Sequence, residues 1–298
     1  MRNERCTMAE VVMHRAPGSV GTRIHWSRVA GYAAMAIAVI VIGTPLFWML
    51  SGSLKTTQEV FSNPPTWLPS NPRWSNYPDA WHAAPFGRFY INSLIIMIAG
   101  TAIKMVNAVC TAYALVFLRF PAKNLIFLVI LAGLMVPEQV TILPNYVTLS
   151  DVFGQSWINT YQGIILPGAA IAFGTFLLRQ TFRGLPREVI EAARLDGCSH
   201  LRLLWDMVIP MARSSVITVT LLVAVGKWNE YLWPLVITTT EQMRPLTVRL
   251  TYLVNRESNT QWGQVMASTV FVIVPLLVVF AFAQKLIIEG VTAGATKG

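Results

Sequence analysis

The chain has 298 residues, of which 54% are hydrophobic and only 12% charged. A soluble domain carries about 25% charged residues, so that deficit and a mean hydropathy of +0.52 exclude an ordinary soluble enzyme and point to a polytopic membrane protein. The formal net charge of +9 does not indicate nucleic-acid binding, because the basic residues are spread as membrane topology requires.

Residues 1–28 form a polar N-terminal tail with Arg2, Arg5, Arg15 and Arg23. It is too long and polar for a signal-peptide leader. The uncharged run Val29–Leu50 reads as a first spanning helix and uncleaved targeting signal, since about 20 apolar residues cross a bilayer. Residues 51–88 are rich in Pro, Trp and Asn and read as a loop, because successive prolines oppose regular helix. Its Trp and Tyr suit a membrane interface, or else a sugar-stacking platform.

Further spans are expected at Phe89–Leu118, with Lys104 inside it, and at Asn124–Leu143, with Pro137 and Glu138 near its end. A fourth covers Asn159–Leu178, a fifth Ser214–Ile237 with Lys227 and Glu230, and a sixth Val265–Gln284. The fold class is therefore all-α with six transmembrane helices. The permease domain covers 29–288, with a polar charged loop at 179–213 and a glycine-bearing tail at 289–298. Placing the N-terminus inside gives fifteen Lys and Arg on inner segments against six on outer loops, so both termini and the charged loop are expected to be cytoplasmic.

Within that loop Pro186 and the acids Glu188 and Glu191 mark a helix start, and Gly197 marks its end. A second short helix, 201–207, is closed by Pro210. Two short helices joined by a glycine turn make a knob able to enter a groove on a partner. Ala192 and Ala193 permit close backbone approach, and Glu191 and Asp196 offer carboxylates.

Glu191-Ala-Ala193, three residues, Gly197, nine residues and Met207-Val-Ile-Pro210 resemble the hallmark of permease subunits of binding-protein-dependent ABC importers. That pattern is Glu-Ala-Ala, three residues, Gly, nine residues, Ile-x-Leu-Pro; Met207 and Ile209 depart from it conservatively. Trp228-Asn-Glu-Tyr-Leu-Trp-Pro234 is similar to a fifth-span sequence of the carbohydrate-type subfamily, and residues 289–298 to the tail of the maltose-importer type. Thr175-Phe-Leu-Leu-Arg-Gln180, Arg119-Phe-Pro121 and Lys104 most resemble the glycerol-3-phosphate importer permease.

The resemblance implies a type I importer fold in a bacterial inner membrane. Its partners would be a homologous second permease, an ATPase dimer docked on Glu188, Glu191, Ala192, Ala193, Asp196, Gly197 and Pro210, and an extracytoplasmic binding protein. The outer loop 238–264 is expected to meet that binding protein. Thr292, Gly294 and Gly298 would belong to a tail reaching between the ATPases. No G-x-x-x-x-G-K-[ST] sequence is present, so ATP and Mg are expected on the partner, with no cofactor or metal on this chain and no catalytic residue.

Lys104 either snorkels or bonds a backbone carbonyl, or contacts an anion in the path. Lys227 and Glu230, spaced i and i+3, form a local ion pair or a solute contact. Asn229 is placed to bond a neighbouring helix. The expected solute is sn-glycerol-3-phosphate or a glycerophosphodiester, with a di- or oligosaccharide such as maltose or trehalose as the alternative. A proton-coupled secondary transporter is the rival of another class, but no internal repeat supports it. His14, His25, His82 and His200 are scattered, and Cys6, Cys110 and Cys198 lack metal-ligand spacing, which leaves no signal for a membrane enzyme.

Overall fold

The computed structural model describes residues 26–83, 85–254 and 260–295, and these are helical with short connections and no β-sheet. The expected N-terminal tail lies almost wholly outside the described residues, as does Gly298.

The first helix, α1 (Trp26–Gly52), carries no charge from Ala30 onward and is long enough to span a bilayer. Residues up to Phe47 form one unit; the second begins at Trp48. Along 30–42 the apolar side chains Ile37, Val39, Ile40 and Ile42 are exposed.

The second unit holds the rest. Two short helices, α2 (Thr57–Val60) and α3 (Asn76–His82), interrupt the Pro-rich loop. The loop is more ordered than its prolines suggest. Asn76 donates to the carbonyls of Ser53 (2.9 Å) and Lys55 (3.0 Å). Lys55 is buried, with its ammonium 4.7 Å from the centre of the Trp48 ring.

Helix α4 (Phe86–Phe117) is a long unbroken helix of this unit. The link after it leads to α5 (Lys123–Ala132) and a 3-10 turn at Gly133–Met135, then to α6 (Glu138–Ser150). Next come α7 (Tyr161–Ile165), a 3-10 turn at Leu166–Gly168, and α8 (Ala172–Arg183). Helices α9 (Arg187–Leu195), α10 (His200–Leu203) and α11 (Ile209–Met211) form the charged loop. They are followed by α12 (Arg213–Asn229), α13 (Leu232–Ile237), α14 (Leu246–Val254) and α15 (Trp262–Ala295). Among the described residues three helices are long and apolar enough to span, and up to six spans result if each bent pair counts as one.

Three expected spans are not straight. The third breaks at Pro137 with a bend of 100°, and the fourth breaks at 169–171 with a bend of 49°. The fifth ends at Asn229 and restarts at Leu232. Proline explains the first and third breaks. It lacks an N–H and clashes with the carbonyl four residues back, so beyond a first turn it kinks or interrupts a helix. Pro137 directly precedes α6, and Pro234 occupies the first turn of α13, which forces the chain out of helix near Glu230.

Other boundaries also shift. Arg179 and Arg183 lie on α8, not in the loop. Residues 238–264 contain α14, which packs on α4 and α15. Helix α15 runs on through Ala295, so Thr292 and Gly294 lie on its last turns; isolated glycines are tolerated among strong helix formers.

α8 and α12 pack against α4, and one apolar cluster joins all three to the charged loop. Leu178, Phe182, Ile190, Leu203 and Val208 are buried within it. The loop is thus seated on the bundle through Ile190 and Ala193 of α9 and Leu203 and Leu204 beyond it.

The turn between α9 and α10 is a Schellman motif. Cys198 N–H donates to Ala193 O and Gly197 N–H to Arg194 O, both at 3.0 Å, with Gly197 at φ +77°. Ser199 then caps α10 through its hydroxyl. Pro210 does not close the second helix as expected. The turn widens into a π segment over Leu204–Val208, which accommodates the proline ring, and helix persists to Met211.

A Cβ on Gly197 would meet nothing within 4 Å, so its requirement is backbone conformation alone. A left-handed residue other than Gly costs about 1–2 kcal/mol, and Asn least. Gly197→Val is therefore expected to speed amide hydrogen exchange over 197–204 about tenfold, and Gly197→Asn to have a clearly smaller effect. Equal effects of Asn and Val would refute the backbone argument.

Candidate functional site

The helix breaks converge. Two cavities of about 490 and 650 Å3 share Lys104, Glu138, Ile142, Ile171, Phe173, Glu230 and Trp233 in their walls. Gly133 and Val136 come from the α5–α6 break, Pro167 and Gly168 from the α7–α8 break, and Glu230 to Trp233 from the α12–α13 break. In a bilayer, irregular backbone is tolerated only where protein buries it or where it lines a cavity. Discontinuous helices at such a cavity are a recurring way to bind solute in transporters.

Side chains satisfy part of the freed backbone. The Trp233 indole donates to the carbonyls of Gly163 and Ile164, at 3.2 Å each. Asn92 is fully buried in α4; its amide donates to Gln242 O (2.7 Å) and Arg244 O (2.9 Å) and its oxygen accepts from the Tyr161 hydroxyl (2.7 Å). Asn159 accepts from the backbone N–H groups of Thr239 and Thr240 at 3.0 Å each. These contacts hold α7, α13 and the 238–245 segment at the end of the bundle opposite the charged loop.

Lys227 and Glu230 form an ion pair at 2.7 Å, with side chains 2% and 14% exposed. Glu230 lies beyond the last turn of α12, so the pair closes across the helix break. Lys104 is half-buried and has no hydrogen bond or ion pair with any described residue. Of the three roles open to it in the sequence, snorkelling, a backbone-carbonyl bond and an anion contact, the carbonyl bond is absent among the described residues. Both ammonium groups face Gly168: a Cβ there would stand 3.3 Å from Lys227 Nζ and 3.6 Å from Lys104 Nζ. Glycine at 168 keeps that space clear. Asn229 lines one cavity but donates to Val225 O of its own helix (2.9 Å), not to a neighbouring helix. An i−4 carbonyl is the acceptor nearest to a polar side chain at a helix end.

Sequence reasoning did not single out Glu138 or Gly168. The signal for Glu138 was a proline followed by an acid inside an apolar run, which marks a helix restart. Gly168 carries no sequence signal that separates it from a loop glycine.

In the charged loop, Glu188, Glu191, Ala192 and Asp196 are exposed, together with Leu195, Leu201 and Trp205. Ala193 instead faces the core, so the two alanines serve different surfaces. Gly197 sits at the turn between the helices and Pro210 on the outer side of α11. Arg202 and Asp206 pair at 3.2 Å in full exposure and contribute little.

The loop is fastened to the end of α4. Arg194 Nη2 donates to Phe117 O (3.0 Å), and Tyr113 shares a hydrogen bond with His200 Nδ1 (2.8 Å). Lys123 Nζ donates to Val116 O and Leu118 O (3.1 Å each). Cations on the last carbonyls of a helix satisfy orphan acceptors and complement its dipole.

Residues 108–292 match the family described as binding-protein-dependent transport system inner membrane component. The chain is 34% identical over 263 residues to the sn-glycerol-3-phosphate transport system permease protein UgpE of Yersinia pestis bv. Antiqua, covering 86% of this chain and 92% of that protein. To the protein of the same name from Escherichia coli O1:K1 / APEC it is 30% identical over 272 residues, with coverage of 89% and 96%. The fold is similar to a chain in the crystal structure of a bacterial ABC transporter involved in the import of the acidic polysaccharide alginate. That match has a TM-score of 0.76 and 25% identity, and covers 87% of this chain and 96% of that one. The chain belongs to the binding-protein-dependent transport system inner membrane components, and it is a permease subunit of an ABC importer.

Proposed function

We propose that this permease forms half of a pore for a small phosphorylated solute, sn-glycerol-3-phosphate or a glycerophosphodiester. The observation that carries the reading is Lys104. Its ammonium is unpaired in a cavity at three helix breaks, beside a second ammonium, Lys227, that is neutralised by Glu230. Glu138 shares both cavity walls but forms no ion pair with Lys104, which leaves that ammonium available to an entering anion. The N-terminus of α8, at Ala172 and Phe173, opens on the same cavity and adds its dipole in the same sense. Each cavity is within the range typical of small-ligand sites. Relatives named for sn-glycerol-3-phosphate support the choice.

The charged loop docks on a separate ATPase subunit, through the exposed Glu188, Glu191 and Asp196 and the apolar Leu195, Leu201 and Trp205 around them. The positive-inside count supports a cytoplasmic loop and cytoplasmic termini in a bacterial inner membrane. ATP and Mg would be held by that ATPase dimer. A second, homologous permease completes the pore, and an extracytoplasmic binding protein delivers solute to the outer ends. Thr292 and Gly294, on the last turns of α15, would lie nearest the ATPases on this topology. Closure of the dimer moves the docked loops together, and the packed helices follow as rigid bodies.

Two outcomes test the reading in liposomes carrying the whole complex. Glu191→Lys is expected to reduce ATP-driven uptake about tenfold or more while the subunit still inserts and assembles, because a reversed charge at a docked surface is strongly unfavourable. Uptake at the normal rate would refute docking through this residue, and uptake without ATPase and binding protein would refute the ABC mechanism itself. Lys104→Met is expected to raise the half-saturating concentration of glycerol-3-phosphate about tenfold, the loss of one charge-assisted hydrogen bond. Lys104→Arg should retain most of the affinity. Unchanged uptake in Lys104→Met, or preferred uptake of uncharged maltose or trehalose, would overturn the anionic-solute reading.

A further inference from the structure

A separate cavity of about 470 Å3 opens beneath α9, at the charged-loop end. Six cations converge on it: Arg119 from the α4–α5 link, Lys123 from the start of α5, Arg179 and Arg183 from the last turns of α8, and Arg187 and Arg194 from α9. The lining holds a single carboxylate, Glu191, which forms no ion pair with any described residue. Lys123 and Arg194 are engaged with the end of α4, as described above. Arg119, Arg179, Arg183 and Arg187 make no hydrogen bond or ion pair with any described residue.

Arg179 is the informative member. It is 93% buried by exposure (7% exposed), yet its Nε has no hydrogen-bond acceptor. Its guanidinium carbon lies 3.7 Å from the centre of the Phe127 ring, and Phe127 stacks on Phe176 at 13°. The ring face offsets part of the desolvation and fixes the guanidinium plane, but it supplies no acceptor for the N–H groups. Buried guanidinium groups are ordinarily paired. Here the nearest charged neighbours in the cavity wall are cations, so the cluster repels itself unless an anion enters.

We propose that this cavity binds a phosphate oxyanion, held by Arg179 and Arg183 with Arg119 and Lys123 at its rim. Planar guanidinium groups match phosphate oxygens in bidentate geometry, and α8, the α4–α5 link and α9 each bring donors to one point. The phosphate is carried either by the headgroup of an anionic phospholipid or by a phosphate ester in solution. On the cytoplasmic topology proposed above, the cavity stands at the level of the inner leaflet, where anionic headgroups attract basic side chains. Arg187 of α9, in the same wall, lets a bound oxyanion bridge α9 to the helices it rests on. The site is independent of which solute the central cavity carries.

The test uses the intact transporter complex. Its thermal unfolding is followed in nanodiscs of phosphatidylcholine alone, in nanodiscs with phosphatidylglycerol added, and in neutral detergent with and without inorganic phosphate. An anionic probe is expected to raise the unfolding temperature of the wild type by about 2 °C or more. Arg179→Gln and Arg183→Gln are each expected to lose at least half of that rise. A rise with phosphatidylglycerol assigns the site to lipid, and a rise with inorganic phosphate alone assigns it to a soluble ester. Arg183 is exposed, so its variant reports on binding even if Arg179→Gln disturbs packing. No rise with either probe, or a full rise retained in Arg183→Gln, would overturn the proposal.

Discussion

The last carbonyls of α4 have no acceptor-satisfying partner within their own helix, and two cations meet that need from opposite directions. Arg194 reaches back from the charged loop to Phe117, and Lys123 folds over from the start of α5 to Val116 and Leu118. The same helix carries α8 and α12 on its flanks. A few polar contacts and one apolar seat, Ile190 with Leu203 and Leu204, therefore join an exposed charged knob to the main packing surface of the bundle. Without that join, a force applied to the loop would swing it on Gly197 and Pro186 rather than move helices.

Transmission also needs something at the far end that can respond. The three broken spans supply it. Their breaks gather Lys104, Glu138, Lys227 and Glu230 around one pair of connected cavities. Straight helices would present only side chains to a solute. Broken ones bring helix ends and irregular backbone to the same place, and Trp233 and Asn92 bond part of the freed backbone. Tight packing between α4, α8 and α12 means that a shift at one end carries to these breaks, because packed interfaces move between discrete arrangements and do not deform smoothly.

Much of this was legible in the residues. Apolar run length located α1, α4 and the start of α15 to within a few residues, since a span imposes a composition on its whole length. The two-helix loop followed from local chemistry: an N-terminal proline with acids, and a glycine that only a left-handed turn requires. The breaks were harder to read. Pro137 and Pro234 were visible, but whether a proline kinks a helix or starts a new one depends on what receives the freed carbonyls, and the Trp233 contact spans about 70 residues of sequence. The helix α14 was missed because 238–264 is too polar to span and its packing on α4 and α15 is tertiary. Arg179 was counted as a loop charge, although it is buried against Phe127 on α8. A charge count registers its sign and not its surroundings.

The central claim is that the charged loop and the α4–α8–α12 packing unit move as one body when the ATPase dimer closes. Spin labels at Leu201, exposed on the loop, and at Cys110, exposed on α4, measure it directly in the reconstituted complex by pulsed electron resonance. The account predicts an unchanged Leu201–Cys110 distance with and without bound ATP, while the distance from position 201 to the equivalent loop of the second permease shortens. A Leu201–Cys110 distance that changes on ATP binding while the bundle stays fixed would contradict it.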